Sequence, residues 1–199
     1  MTRLLRRIGR ASDGATLVEF ALIAPVFFAL LMGLFDLGQS VYVRSTLQGA
    51  LQEGGRNSGL ESGSLNEAAI DTYVRDQVQA VTGNARVEFE RLNYRDFSNV
   101  GTPEDFTDSN SNGIYDANEC FFDANGNGQW DTDRGVDGLG GANDVVVYTA
   151  TVTYRRIFPF YELIGLAPIT RISASTILRN QPFSTQDVRQ AKQICPPSA

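Results

Sequence analysis

Apolar and polar positions change rhythm several times along this chain. From Ala15 to Phe35 the run is apolar on every side, and Glu19 is the only charge in 21 residues. A helix of that length spans about 30 Å, the thickness of a bilayer core. Beyond it, Leu37, Val41, Leu47, Ala50 and Leu51 keep rough helical spacing, and Gly54-Gly55 reads as a stop. Pro25 lies inside the span and is expected to kink or locally melt it. Ser64-Leu65-Asn66-Glu67 is a capping box. It opens an apolar stripe through Leu65, Ala69, Tyr73, Val74, Val78 and Val81, so the spacing predicts an amphipathic helix over 65–82, ended by Gly83-Asn84.

Three strands are then expected, at 85–93, 144–154 and 171–179, the second and third rich in β-branched residues. Between the last two, Phe158, Phe160, Tyr161, Leu163, Ile164 and Leu166 form a concentrated apolar group. It reads either as a loop or short helix over the core, or as an exposed patch that docks on a partner subunit. A long helix, a shorter one and a small antiparallel sheet make an α+β order.

The flank of the span fixes its orientation. Arg3, Arg6, Arg7 and Arg10 stand against Asp13, which places the N-terminus in the cytoplasm and the rest outside. The apolar run is too long for a secretory signal peptide, and no small-x-small cleavage site follows it. An uncleaved signal anchor accounts for everything but Glu19. A carboxylate in a membrane span costs about 2–3 kcal/mol, so it has a task.

Gly14 followed by Ala15-Thr16-Leu17-Val18-Glu19-Phe20 resembles a type IV prepilin processing site. The resemblance implies cleavage after Gly14 by a prepilin peptidase and a new N-terminus at Ala15. It also makes Glu19 the fifth mature residue, followed by the aromatic (Phe20) typical of the Flp/Tad branch. The longer run to Gln39 is similar to TadE-like minor pilins, or pseudopilins, and Leu178-Arg179-Asn180-Gln181-Pro182-Phe183 is similar to the close of such domains. The implied organisation is a leader at 1–14, a membrane-spanning spine helix at 15–55 and an extracytoplasmic pilin-like domain at 56–199, with an insertion at 101–144. The implied location is the bacterial inner membrane, then a pilus at the cell surface. The implied partners are other pilin subunits, the assembly machinery, the peptidase and the lipid bilayer. Glu19 would neutralise the Ala15 ammonium, on its own chain or a neighbour's, and so set register. The competing class is a membrane-anchored, calcium-binding interaction module that never polymerises.

Charge singles out the insertion. The net charge is -6, but residues 101–144 alone carry ten acids and one arginine. An acidic chain lacks the basic footprint of a nucleic-acid binder. There is no histidine, which removes histidine-based triads and metal sites. The acids fall at loop spacing rather than as glycosidase pairs, so no enzyme is expected.

Asp108, Asn110, Asn112, Gly113, Ile114, Asp116 and Glu119 fit a twelve-position calcium loop. Oxygen side chains fall at positions 1, 3, 5 and 9, the turn glycine at 6, a backbone carbonyl at 7 and a bidentate glutamate at 12. Fifteen residues on, Asp123, Asn125, Asn127, Gly128, Gln129 and Asp131 repeat the pattern, but position 12 is Arg134. Asp133, or a distant Asp137 or Asp144, is expected to substitute there. The two loops resemble helix-free repeats of dockerin or thrombospondin type. Hard oxygen donors favour Ca2+, at about millimolar to sub-millimolar affinity given the asparagines. Cys120 and Cys195 are expected to pair outside the cytoplasm, the alternative being two buried thiols.

Overall fold

The computed structural model describes residues 12–60, 67–158, 160–163, 165, 167–179 and 190–196. Its elements are helices α1 (Ser12–Leu60) and α2 (Glu67–Thr82), strand β1 (Arg86–Tyr94), strands β2 (Phe121–Asp123), β3 (Val136–Asp137) and β4 (Val145–Arg155), the short helix α3 (Phe160–Leu163), and strands β5 (Ile169–Arg179) and β6 (Lys192–Ile194). This is the α+β architecture expected. The chain falls into two compact units, one of Met1–Tyr42 with Tyr154–Thr170, the other of Val43–Thr153 with Arg171–Ala199.

In the first unit, α1 is exposed and apolar. Leu17, Val18, Leu22, Ile23, Val26 and Leu30 are all solvent-facing. Thr16–Arg56 is long and apolar enough to cross a membrane. Pro25 does not end the helix, which is assigned without a break from Ser12 to Leu60. Near Phe35 the connection from β4 to β5 packs on it. Phe158 lies 6.2 Å from Phe35 between ring centroids, Asp36 pairs with Arg156, and the hydroxyls of Ser40 and Tyr154 are 3.2 Å apart.

In the second unit, the sheet order is β3-β1-β4-β5. β1 runs antiparallel to β4 from Arg86↔Thr153 to Tyr94↔Val145. Side chains alternate across a strand, and Val146, Tyr148, Ala150 and Val152 of β4 are all buried on one face. The core is completed by Val43, Leu47, Ala50 and Leu51 of α1 and by Val74 and Val78 of α2. The α1 set repeats at three- and four-residue intervals, as one face of a helix requires.

The expected stop at Gly54-Gly55 is wrong. Both glycines are buried inside α1, and their missing side chains make room for neighbours. A Cβ on Gly55 would lie 2.6 Å from Leu178 Cδ2, and one on Gly54 would lie 3.1 Å from Ile70. Of the capping box, only Glu67 lies within the described residues. Residues 180–183 of the closing motif and most of the leader lie outside them.

Candidate functional site

The insertion folds as two loops with one hydrogen-bond plan. In the first, Asp108 accepts the Asn112 amide at 3.2 Å and the Gly113 amide at 2.8 Å. Asn110 Oδ1 accepts the Asn112 amide at 3.0 Å, and Asn112 Oδ1 accepts that of Ile114 at 2.7 Å. Asp116 takes the side-chain amides of Asn110 and Asn112 at 2.7 and 3.0 Å. Gly113 holds the turn at φ +75°, a conformation that side chains disfavour. The Gly113 amide, followed by those of Asn112, Ser111 and Asn110, holds the Asp108 carboxyl below its usual range, outweighing partial desolvation.

The second loop repeats this plan fifteen residues on. Asp123 accepts the Gly128 amide at 2.9 Å and that of Gly126 at 2.6 Å. Asn125 and Asn127 accept the Asn127 and Gln129 amides at 3.0 and 2.7 Å. Asp131 takes the side-chain amides of Asn125 and Asn127 at 2.8 and 2.6 Å. Gly128 holds φ +79°.

The twelfth position shows how the loops differ. In the first, Glu119 is 1% exposed and accepts the amides of Ser109 and Asp116, positions 2 and 9, at 2.7 and 3.1 Å. In the second, the equivalent amides of Ala124 and Asp131 go to Glu104, at 2.7 and 3.3 Å. Glu104 is also 1% exposed. It reaches the loop from outside the repeat, nineteen residues before Asp123. Arg134 helps to hold it there. The guanidinium donates to the Pro103 carbonyl, by Nε at 2.9 Å, and pairs with Asp105 at 2.9 Å, so it grips both neighbours of Glu104. Trp130 Nε1 donates to the Glu104 carbonyl at 3.0 Å.

The residues expected to stand in for Arg134 have other partners. Asp133 accepts the Tyr94 hydroxyl and the Gly135 amide, each at 2.9 Å. Burial, then this bond, raises the Tyr94 pKa. Asp144 accepts the Gly141 amide at 2.6 Å. Asp137 belongs to β3, opposite Leu92.

Position 8 is Tyr115 in one loop and Trp130 in the other, and the two rings stack at 4.7 Å and 16°. Phe106 meets both rings edge-on, at 5.9 and 6.2 Å. The in-phase spacing of the only tryptophan and this tyrosine was a signal in the sequence for the pairing. Cys120 and Cys195 are joined, with Cα atoms 4.1 Å apart. The bridge continues into the β2–β6 pairing, Phe121↔Ile194 to Asp123↔Lys192, so the tail is fastened to the strand between the loops.

Each loop combines two asparagines with three carboxylates, Glu104 counted with the second. Among the described residues, no three or more His, Cys, Asp or Glu side chains form a group that could hold a metal ion. The donors are instead a mixed amide and carboxylate set. That chemistry fits a hard cation and not a thiophilic or imidazole-seeking one.

At the other end of the chain, Gly14 lies in the first turn of α1 with open space around it. Glu19 and Phe20 are exposed on the same helix, and Ala15 lies within it.

Residues 14–56 match the family model described as TadE-like protein. Over that stretch the chain is similar to the TadE-like family, as the residues around Glu19 suggested. No curated protein and no solved structure matches the chain.

Proposed function

We propose that this chain is a minor pilin, or pseudopilin, of a Tad-type pilus. A prepilin peptidase cuts it after Gly14 at the cytoplasmic face of the inner membrane, and the domain beyond the span works outside. One observation carries the reading. The TadE-like match begins at Gly14, at the start of a helix in which Glu19 is the only charge from Ala15 to Phe35. Cleavage there creates an ammonium at Ala15 within reach of a carboxylate one helical turn on. In lipid, pairing the two removes the cost of two lone charges and fixes register against a neighbouring subunit. The role is assembly and structure, with no catalytic step. Mass spectrometry of the mature protein is expected to find Ala15 first, and a chain that still starts at Met1 overturns the reading.

The two acidic loops are proposed to bind Ca2+ and stiffen the outer domain. The first would use Asp108, Asn110, Asn112, Asp116, the Ile114 carbonyl and Glu119. The second would use Asp123, Asn125, Asn127, Asp131, the Gln129 carbonyl and Glu104 in place of Arg134. Binding exchanges the asparagine-to-aspartate bonds for ion–oxygen bonds. At a hundred times Kd each ion adds about 2.7 kcal/mol. For a chain of this size that raises Tm by about 5 °C or more per ion. Thermal unfolding of the full chain in detergent, with calcium and then with chelator, measures it; an unchanged Tm counts against the loops as calcium sites.

A further inference from the structure

We propose that the β4–β5 connection, residues 155–170, is a foot that rests in the lipid headgroup layer where α1 leaves the bilayer. The proposal rests on reading α1 as a membrane span. Helical rise puts Phe35 about 30 Å from Ala15, which is one bilayer core. Phe158 packs on Phe35, so the connection sits at the exit plane of the span. At the next position, Asp36 is paired with Arg156, and both side chains are less than a fifth exposed. A carboxylate at that boundary is costly unless it is neutralised, and the connection supplies the partner.

The rest of the connection has the chemistry of an interface. Ile157 and Ile169 are 63% and 56% exposed. They sit beside Arg156 and Pro168, whose backbones bond at 3.0 Å and hold the two ends of the connection together. Exposed together at the two ends of the connection, these isoleucines suit the upper acyl region. Arg155 is exposed at the end of β4. Arginine is a side chain that lays an apolar stem along lipid and puts its charged end among headgroups. With Arg156 engaged by Asp36, the exposed Arg155 is the cation of the connection that can meet a lipid phosphate. Bilayer continuity along α1 favours lipid over a second protein as the occupant.

The test uses the full chain in vesicles of phosphatidylcholine and phosphatidylglycerol. An environment-sensitive fluorophore is placed on Ile157→Cys, on Ile169→Cys and, as a reference, on Val26→Cys in the middle of the span. The native cysteines are joined and take no label. The expected result is a larger loss of fluorescence at 157 and 169 with lipid spin-labelled near the headgroup than with deep-labelled lipid, and the opposite order at 26. Quenching of 157 and 169 by aqueous iodide, with 26 still quenched by deep lipid, overturns the foot and keeps the span. Protection of 157 and 169 from iodide and lipid alike means that protein covers them, and it too overturns the foot. Aqueous exposure at all three positions overturns the span as well.

Discussion

Glu104 is the residue on which the two loops can be told apart. It does for Ala124 and Asp131 what Glu119 does for Ser109 and Asp116. Replacing Glu104 by Gln should therefore remove one of two calcium-binding events in calorimetry, and Glu119→Gln the other. If Glu104→Gln leaves both events intact, Glu104 is not a ligand. Glu104→Ala strands two amides in a site that is 1% exposed and is expected to cost about 2–4 kcal/mol even without metal. Of this site, the positions with local spacing were legible: Asp108 through Glu119, and Asp123 through Asp131. Glu104 was not, because no periodicity links it to a loop nineteen residues on. Asp133, expected from the sequence to stand in at position 12, accepts the Tyr94 hydroxyl and the Gly135 amide. The arginine at position 12 reads as a lost ligand in the sequence, and in the structure it grips both neighbours of Glu104.

At the scale of elements, Gly54-Gly55 carries the lesson. A glycine pair after an apolar stripe is the usual mark of a helix end. Here the same residues are the thinnest part of a helix that runs on to Leu60, with Leu178 of β5 against Gly55. Local propensity cannot distinguish the two uses, since the neighbour comes from 123 residues away. Gly55→Ala is expected to gain about 1 kcal/mol of helix propensity and to lose about 1–3 kcal/mol to the clash, a net destabilisation in thermal unfolding. Adding Leu178→Ala should relieve the clash component. A single Gly55→Ala more stable than the parent would show that Leu178 moves aside freely. The long periodic elements α1, α2, β1, β4 and β5 were readable because 3.6- and two-residue rhythms persist over many residues. β2, β3 and β6 have two or three residues each, too few to carry a rhythm, and they exist through pairings set elsewhere.

For the whole molecule, the tail and the acidic segment are one construction. The Cys120–Cys195 bridge closes a separation of 75 residues, which by chain entropy contributes about 4 kcal/mol. It also brings Lys192 opposite Asp123, the first residue of the second loop. Reduction, or Cys120→Ser with Cys195→Ser, should lower Tm and weaken calcium binding at the second loop more than at the first. Equal loss at both would mean that the bridge acts on general stability alone. The excess of acids sets 101–144 apart in the sequence, and an exterior compartment favours pairing of the two cysteines. The division into two units was not readable, because it cuts through α1 and through the ends of β4 and β5 rather than at a linker.

The origin of the two glutamates also bears on the order in which the loops form. Glu119 closes its loop over a separation of three and ten residues, whereas Glu104 meets its amides across twenty and twenty-seven. Closure entropy grows with the length of chain enclosed, so the first loop can close from its own residues. The second is completed only by the segment around Glu104, which Arg134 holds. A peptide of residues 108–119 therefore contains every residue proposed to bind the ion, while one of residues 123–134 lacks Glu104. The first loop is portable and the second belongs to this fold.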